Sequence, residues 1–404
     1  MKSALDKLEC LFCRKEFPLD IFLPFCPDCG EPLLVARTSA RKSFHWNEKT
    51  ALETFKDFLP LETINPDLTL GEGDTPLIEL VRLREKFRLP LIYAKNESSN
   101  PTASFKDRGT AVAVQKAVSL GCKKIGTVST GNMAGSTAAY AAKAGLKSVI
   151  FVKEDTTREK ILAAGVYGPV IVKVKGDYGQ LFRKSFDIGR ANIIYFMNSV
   201  DPFRIEGYKL TSYEIFFQLN GGIPDYVIVP VSAGGHLIGL MRGFADLKGL
   251  GVAPKLPLFI GVQAKGCSPL PRAFSQRKTN FAIFPNPHTI AHAISNPNPP
   301  GGRLVLKMIR ENGGRLIAVS DEEILRAQKD LAEDEGLFCD PASATTFAGI
   351  RQLDRARMFK ADDRIVLILT GSGLKTLEDL AYTRIPYRTI TLNQLEKKIS
   401  NVIS

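Results

Sequence analysis

From Gly71 onward, short apolar runs alternate with stretches in which apolar residues recur every three or four positions. The runs, rich in Val, Ile, Leu and Tyr, predict buried strands over 91–94, 124–128, 148–152, 170–174, 226–231, 258–262 and 365–369. Helical spacing follows at 107–120, 134–144, 206–219, 237–247 and 321–332. Alternation of this kind predicts an α/β protein with a mainly parallel sheet covered by helices on both faces. Such sheets bind ligands at the carboxyl ends of their strands, where helix N-termini offer free N–H groups. Residues 37–70, with Pro60, Pro66 and the single Trp46, read as a connector. The turn NPNPPGG at 296–302 interrupts the pattern before the last helices.

Composition narrows the class. With 404 residues, 44% hydrophobic and 24% charged, the chain suits two or three domains with buried cores. It is neither collagen-like, a disulfide scaffold nor largely disordered. No apolar run approaches the roughly 20 residues of a membrane span. The start, MKSALDKLECLFC, lacks the apolar stretch of about 7–15 residues that marks a secretory signal. The expectation is a soluble, cytoplasmic protein. The net charge of +12 fits nucleic acid, anionic lipid or a small anionic substrate. Residues 1–36, however, carry more acids (Asp6, Glu9, Glu16, Asp20, Asp28, Glu31) than bases (Lys2, Lys7, Arg14, Lys15), and no dense basic block follows. That distribution argues against a nucleic-acid reader, which concentrates basic residues on one face or helix.

Cysteines divide the chain. Cys10, Cys13, Cys26 and Cys29 form two C-x2-C pairs, whereas Cys122, Cys267 and Cys339 stand alone. Four thiolates on two tight turns suit one tetrahedral, structural Zn²⁺ with no open catalytic position. A redox dithiol needs only one pair, and a reducing cytoplasm disfavours disulfides.

Four segments at strand–helix junctions carry candidate chemistry. In NPTASFKDRGT (100–110), Lys106 opens a helix, where the positive dipole end disfavours its charged form. This suits an amine that must react neutral. VSTGNMAGS (128–136) is a strand end, a glycine turn, Asn132 and a small-residue helix. VPVSAGGHLIG (229–239) places the N–H groups of Ser232–His236 where they can cradle a phosphate. In LILTGSGLK (367–375), Thr370 ends a buried strand with its hydroxyl at the sheet top. Neither the P-loop nor the GxGxxG pattern of nucleotide binders occurs.

Together these segments resemble the fold-type II pyridoxal-phosphate enzymes and, among them, the threonine synthases. The likeness runs from GEGDTPL (71–77) through the lysine and STGN segments. It continues through NSVDPFRIEGYK (198–209) and DEEILRAQKDLAEDEGLFCDPASATTFAGI (321–350) to LTGSGLK. SFKDRGT is its most specific element, and some threonine synthases begin with a four-cysteine ribbon. The resemblance implies two open, mostly parallel sheets flanked by helices, behind an N-terminal zinc ribbon at residues 1–36. It implies a large cofactor-binding domain (37–106 and 207–385), a small mobile domain (107–206), a C-terminal tail (386–404) and a homodimer. Lys106 would bind pyridoxal 5′-phosphate covalently, Asn132 would bond its ring hydroxyl, and Ser232, Ala233, Gly234, Gly235 and His236 would hold its phosphate. Thr370 would face the ring nitrogen, a neutral hydroxyl that does not hold that nitrogen protonated. The implied reaction converts O-phospho-L-homoserine and water to L-threonine and phosphate, with Lys106 as general base. Ser129, Thr130, Asn198, Ser199 and Arg204 would bind the anionic substrate.

The sequence departs from the family pattern at His236 in the phosphate loop, at Thr376 after GLK, and in HTIAHAISNP (288–297). There His292 and Ser295 stand where a basic residue and a glycine are usual, which bears on the leaving group or nucleophile. His288 and His292, spaced i, i+4, are metal ligands only if they share a helix and find a third partner. The alternatives are another pyridoxal-phosphate eliminase or replacement enzyme (serine/threonine dehydratase or cysteate-synthase-like) and, more remotely, a zinc-ribbon nucleic-acid-binding protein. The tail segment YRTITLNQLEKKIS reads as a strand and helix.

Overall fold

The computed structural model describes residues 6–377, except 21, 37–44 and 47–49, together with residues 389 and 391. The expected tail elements at 386–404 therefore lie outside the described residues, as does part of the connector. Three sheets organise the rest. An antiparallel sheet of β1 (Lys7–Glu9), β2 (Glu16–Phe17) and β3 (Leu34–Ala36), in the order β2-β1-β3, frames the cysteine turns. The remaining strands are β4 (Leu77–Glu79), β5 (Leu91–Asn96), β6 (Lys124–Val128), β7 (Lys147–Lys153), β8 (Val170–Val174), β9 (Tyr195–Phe196), β10 (Tyr226–Pro230), β11 (Leu258–Ala264), β12 (Arg315–Val319) and β13 (Arg364–Leu369). They form a six-stranded sheet, β12-β11-β10-β13-β5-β4, and a four-stranded sheet, β8-β7-β6-β9. All pairings in these two sheets are parallel except β4 with β5. The chain is thus an α/β protein with two open, mostly parallel sheets.

Strand alternation in the larger sheet separates two cores. Val227, Val229, Val366 and Ile368 face a cluster shared with helices Lys106–Ser119, Pro202–Gln218, Gly235–Gly249 and Gly302–Asn312. Ile228, Ile365, Leu367 and Leu369 face the opposite cluster, which is covered by helices Asp321–Glu335 and Pro341–Arg355. Burial on both faces explains why these strands read as continuous apolar runs. All seven strands expected from the sequence are present. Among those not expected, β9 has only two residues and β12 begins at the polar Arg315.

Helix Pro202–Gln218 is buried from Pro202 to Phe216. It begins at a strong stop-and-start signal: the Asp201 carboxylate caps the N–H groups of Phe203 and Arg204, and proline sits at its first position. It lies close against helix Gly235–Gly249 because the latter presents glycine every fourth residue. A Cβ on Gly239 would stand 2.6 Å from Tyr208 Cβ, and one on Gly243 would stand 2.7 Å from the Lys209 carbonyl. Among the described residues, no helix is long and apolar enough to cross a membrane.

Candidate functional site

The lysine-bearing turn is held by the end of β13. Phe105 N–H donates to the Thr370 carbonyl (3.0 Å), and Ser372 N–H donates to the Ala103 carbonyl (3.1 Å). Ala103 adopts φ +56°, a left-handed conformation that non-glycine residues hold only when their surroundings over-determine it. Lys106 is the first residue of its helix. Asp107 closes the turn behind it by accepting from Thr102 N–H and Oγ1, both at 2.6 Å. The Lys106 ammonium lies 4.3 Å from the Phe105 ring centroid. Burial, reinforced by the Arg204 charge, pushes its pKa down to about 7. The amine is therefore substantially neutral near pH 7, as a nucleophile or general base requires.

Below the lysine, the turn is anchored by buried ions. Arg108 bonds Glu97 (2.5 and 2.8 Å) and Glu214 (2.6 and 2.7 Å), and Lys95 adds a further contact to Glu214 at 2.6 Å. The side chains of these three ion pairs are fully buried. Burial opposes the Glu214 charge, but Arg108 and Lys95 hold its pKa below the usual carboxylate range. The residues after the lysine in SFKDRGT thus fix the helix: Asp107 to the turn, Arg108 to Glu97 just after β5 and to helix Pro202–Gln218, and Thr110 to Ser136 (2.6 Å).

The second wall is the loop after β10. Gly234 has φ +100°, and a Cβ on Gly235 would stand 2.3 Å from the Ser199 carbonyl, so this cradle closes only around glycine. The N–H groups of Gly235, His236 and Leu237 precede the first intrahelical bond, Ile238 N–H to Gly234 O. Gly301 N–H donates to the Ala233 carbonyl (2.9 Å), so the NPNPPGG turn buttresses the loop. The His236 ring stacks on Phe105 at 3.9 Å, which ties the loop to the lysine turn. Burial, with the Lys106 and Arg108 charges, keeps the imidazole neutral by pushing its pKa well down.

The third wall joins the two sheets. Asn132 opens helix Asn132–Lys143, and its Nδ2 lies 3.1 Å from where a Cβ of Gly371 would stand; Asp340 Oδ2 lies 2.7 Å from the same point. Asp340 caps helix Pro341–Arg355 through Ser343 N–H (2.7 Å) and accepts from Ser343 Oγ (2.6 Å). Ser343 Oγ in turn contacts Thr370 Oγ1 at 3.0 Å. Asp340 and Ser343 were not singled out from the sequence. Their signal was the Asp-Pro pair that starts a helix within DPASATT.

The expected substrate residues divide into two sets. Ser129 and Thr130 are half-buried at the end of β6. Thr130 also lines a cavity of about 290 Å³ with Phe151, Val152, Lys153 and residues 155–157. Ser199 offers its carbonyl to the Gly235 approach. The side chains of Asn198 and Arg204 do not face outward. Asn198 accepts from Val128 N–H (2.9 Å) and Thr127 Oγ1 (3.2 Å) and donates to Ser185 Oγ (3.0 Å). Fully buried Arg204 donates to Thr110 Oγ1 (2.8 Å), the Lys106 carbonyl (3.1 Å) and the Tyr208 hydroxyl. In this structure both hold other parts of the site.

His288 precedes the short 3₁₀ turn His292–Ile294, so the two histidines share no helix, and the metal-ligand pattern of their spacing is not realised. The four ribbon cysteines, by contrast, converge, with their sulfurs all within 4.8 Å of one another. Closest are Cys10–Cys29 at 3.3 Å and Cys13–Cys26 at 3.5 Å. Tetrahedral Zn–S bonds of about 2.3 Å imply sulfur separations of about 3.8 Å, so the donor set fits that ion.

The residues around Lys106 also fit pyridoxal phosphate. A glycine-walled helix start supplies N–H donors, and a depressed-pKa lysine faces it. Ser104 Oγ and both His236 ring nitrogens are buried without hydrogen-bond partners among the described residues. This arrangement defines the class, and the sequence profile described as "Pyridoxal-phosphate dependent enzyme" matches residues 68–371. The threonine synthase of Methanocaldococcus jannaschii is 36% identical over 374 residues, covering 91% of this chain and 92% of that protein. That of Methanosarcina acetivorans is 35% identical with the same coverage. The chain belongs to the threonine synthase family. Two solved structures share the fold alone. Maize serine racemase has TM-score 0.63 and 18% identity, over 82% of this chain and 93% of that one. The L-serine ammonia-lyase of Rhizomucor miehei has TM-score 0.65 and 19% identity, over 78% and 99%.

Proposed function

We propose that this chain converts O-phospho-L-homoserine and water to L-threonine and phosphate. The observation that carries the reading is the 36% identity to a threonine synthase along nearly the whole of both chains. Lys106 would hold pyridoxal phosphate covalently, with Asn132 at the ring hydroxyl, the Ser232–His236 backbone at the phosphate and Thr370 at the ring nitrogen. The bound cofactor supplies an electron sink for charge developing beside the substrate's amine-bearing carbon. The Lys106 amine would take the substrate's Cα proton; a pKa of about 7 matches that task at neutral pH. Phe105 and His236 shield the amine on one side, and Asp107 with Arg108 keeps its helix start in place. Ser129, Thr130 and Ser199 would receive the substrate phosphate, with Asn198 and Arg204 positioning the walls that carry them.

Residues 107–206 would form the smaller, moving domain and residues 37–106 with 207–385 the larger one, in a cytoplasmic homodimer. Cys10, Cys13, Cys26 and Cys29 would bind structural zinc. The test is phosphate release and amino-acid product with O-phospho-L-homoserine, with O-phospho-L-serine and L-threonine run in parallel. Equal amounts of threonine and phosphate from the first substrate are expected. Turnover of either other amino acid without threonine formation overturns the substrate assignment and points to the HTIAHAISNP departure.

A further inference from the structure

The ribbon's second cysteine turn, residues 26–29, lies between two contacts that lead to different walls of the cleft. Glu31 closes this turn, its carbonyl accepting from Cys26 N–H at 2.8 Å. The Glu31 side chain is buried and pairs with Arg303 at 2.6 Å. Arg303 is the second residue of helix Gly302–Asn312. Gly301, just before that helix, donates its N–H to the Ala233 carbonyl, and Val305 Cγ2 lies 2.9 Å from where a Cβ on Gly234 would stand. The helix that Glu31 holds therefore backs the 232–236 loop. Arg242 adds a second tie: it lies on helix Gly235–Gly249, which that loop opens, and donates to the Val35 carbonyl of β3 at 2.5 Å.

Phe25, before the turn, leads to the other wall. Its ring packs edge-on against Phe182 and Phe186 of helix Tyr178–Asn192, with centroids 6.4 and 5.7 Å apart. It joins the apolar cluster that includes Val128. Arg190 of the same helix donates to the Phe22 carbonyl at 3.3 Å. Val128 is the last residue of β6, immediately before the 129–132 turn. Ser185, also on that helix, accepts from Asn198 Nδ2, and Asn198 Oδ1 accepts from Val128 N–H. The helix beneath Phe25 thus supports the strand end that carries the turn.

We propose that Phe25 and Glu31 are positioning residues, and that the cysteine turn between them is a strap holding the 232–236 loop and the 129–132 turn at the separation the bound cofactor requires. The inference rests on the reading of that loop and that turn as the walls for the cofactor's phosphate and ring. The walls belong to different sheets, and no strand pairing joins those sheets among the described residues. Units linked only by side-chain packing move relative to one another unless that packing is extensive. One short turn with a charged contact to one wall and an aromatic contact to the other limits such motion, without reaching the cleft itself.

The test is amide exchange, read by mass spectrometry on the full chain with and without pyridoxal phosphate. In the unsubstituted protein, the cofactor is expected to raise protection over residues 232–237 and 129–133. Glu31→Ala and Arg303→Met break one ion pair from its two sides. Each should lower the 232–237 protection of the loaded protein by roughly tenfold, since a charged hydrogen bond contributes about that much. Phe25→Ala should lower the protection of 129–133. Strands β10, β11 and β13 stay protected in every variant. Glu16→Ala, which breaks a surface pair with Lys7 inside the ribbon, changes neither cleft segment. A role confined to the ribbon's own fold moves exchange in β1, β2 and β3 alone, and that result overturns the proposal. If Glu31→Ala or Phe25→Ala melts the ribbon, both cleft segments must loosen, and protection retained there overturns it equally. Protection gained with the cofactor but unmoved by all three variants sinks only the strap. Cofactor binding that protects neither segment in the unsubstituted protein sinks the assignment of the walls and the strap with it.

Discussion

The four-cysteine ribbon and the lysine-centred cleft are built on opposite principles. The ribbon's own core is five buried residues, Leu8, Cys10, Cys26, Leu33 and Val35, and two of these are metal-ligand candidates. Its strands have two or three residues each. A unit this small does not bury enough apolar surface to stand alone; the zinc proposed for its cysteines would add folding energy, and its neighbours brace it. Arg303 pairs with Glu31 at 2.6 Å on one side, and Phe25 packs edge-on against Phe186 on the other. The cleft instead takes residues from widely separated segments and fixes them with two apolar clusters and buried ions. One region is specified locally by spacing, the other globally by topology.

Replacing the reacting group gives the largest effect. Lys106→Ala would remove both the covalent anchor and the general base proposed for the reaction. Turnover should fall beyond the roughly 10²–10⁴-fold that acid–base loss alone costs. The circular dichroism spectrum should stay unchanged, because the side chain makes no hydrogen bond among the described residues. Retained turnover would remove Lys106 from the mechanism and leave the cleft without its defining residue.

Next comes the ionic anchor. Arg108→Ala leaves Glu97 and Glu214 buried without their main partner, which costs about 3–5 kcal/mol. A lowered urea midpoint with an unchanged slope is the expected record. A loss under about 1 kcal/mol would mean that Lys95 and Thr75 suffice, and that the cleft relies mainly on apolar packing. Chelation sharpens the contrast from the other side. If the ribbon holds the proposed zinc, stripping it should abolish amide-exchange protection over β1, β2 and β3 while leaving β10, β11 and β13 protected. Loss of protection throughout would show that the two regions fold as one unit.

The same contrast explains what the sequence disclosed. C-x2-C pairs declare a ribbon because all four cysteines lie within twenty residues. In the cleft, Lys106 and the Ser232–His236 loop were legible for a related reason, since each sits at a strand-to-helix junction with glycine or a helix start to mark it. Asp340 and Ser343 were not, because their role appears only when helix Pro341–Arg355 is set beside the end of β13. Arg204 shows the complementary limit. Its motif places it beside the lysine, but spacing gives no direction to a side chain, and the guanidinium turns inward to the Lys106 carbonyl. His236 was visible as an oddity, and its stack on Phe105 required the fold.

The smallest expected effect is a pH slope, and its sign distinguishes the cleft from an ordinary surface. Lys106 has a folded-state pKa of about 7, against about 10.4 in an unfolded chain. Below pH 7 it is protonated in both states, and the folded cofactor-free protein bears the full cost of burying the charge. Between the two values only the unfolded chain binds the proton, so stability rises with pH at up to about 1.4 kcal/mol per unit. Lys106→Met removes this dependence. The cofactor-free Met variant should therefore be more stable than the parent at pH 6, with an advantage that shrinks steadily toward pH 10. Groups facing the amine do not confuse the comparison. Burial pushes the His236 pKa well down and raises that of Tyr208 above its ordinary value. An advantage that stays constant across the range would mean that the amine is solvated and titrates normally, and that the cleft does not prepare its lysine before the cofactor arrives.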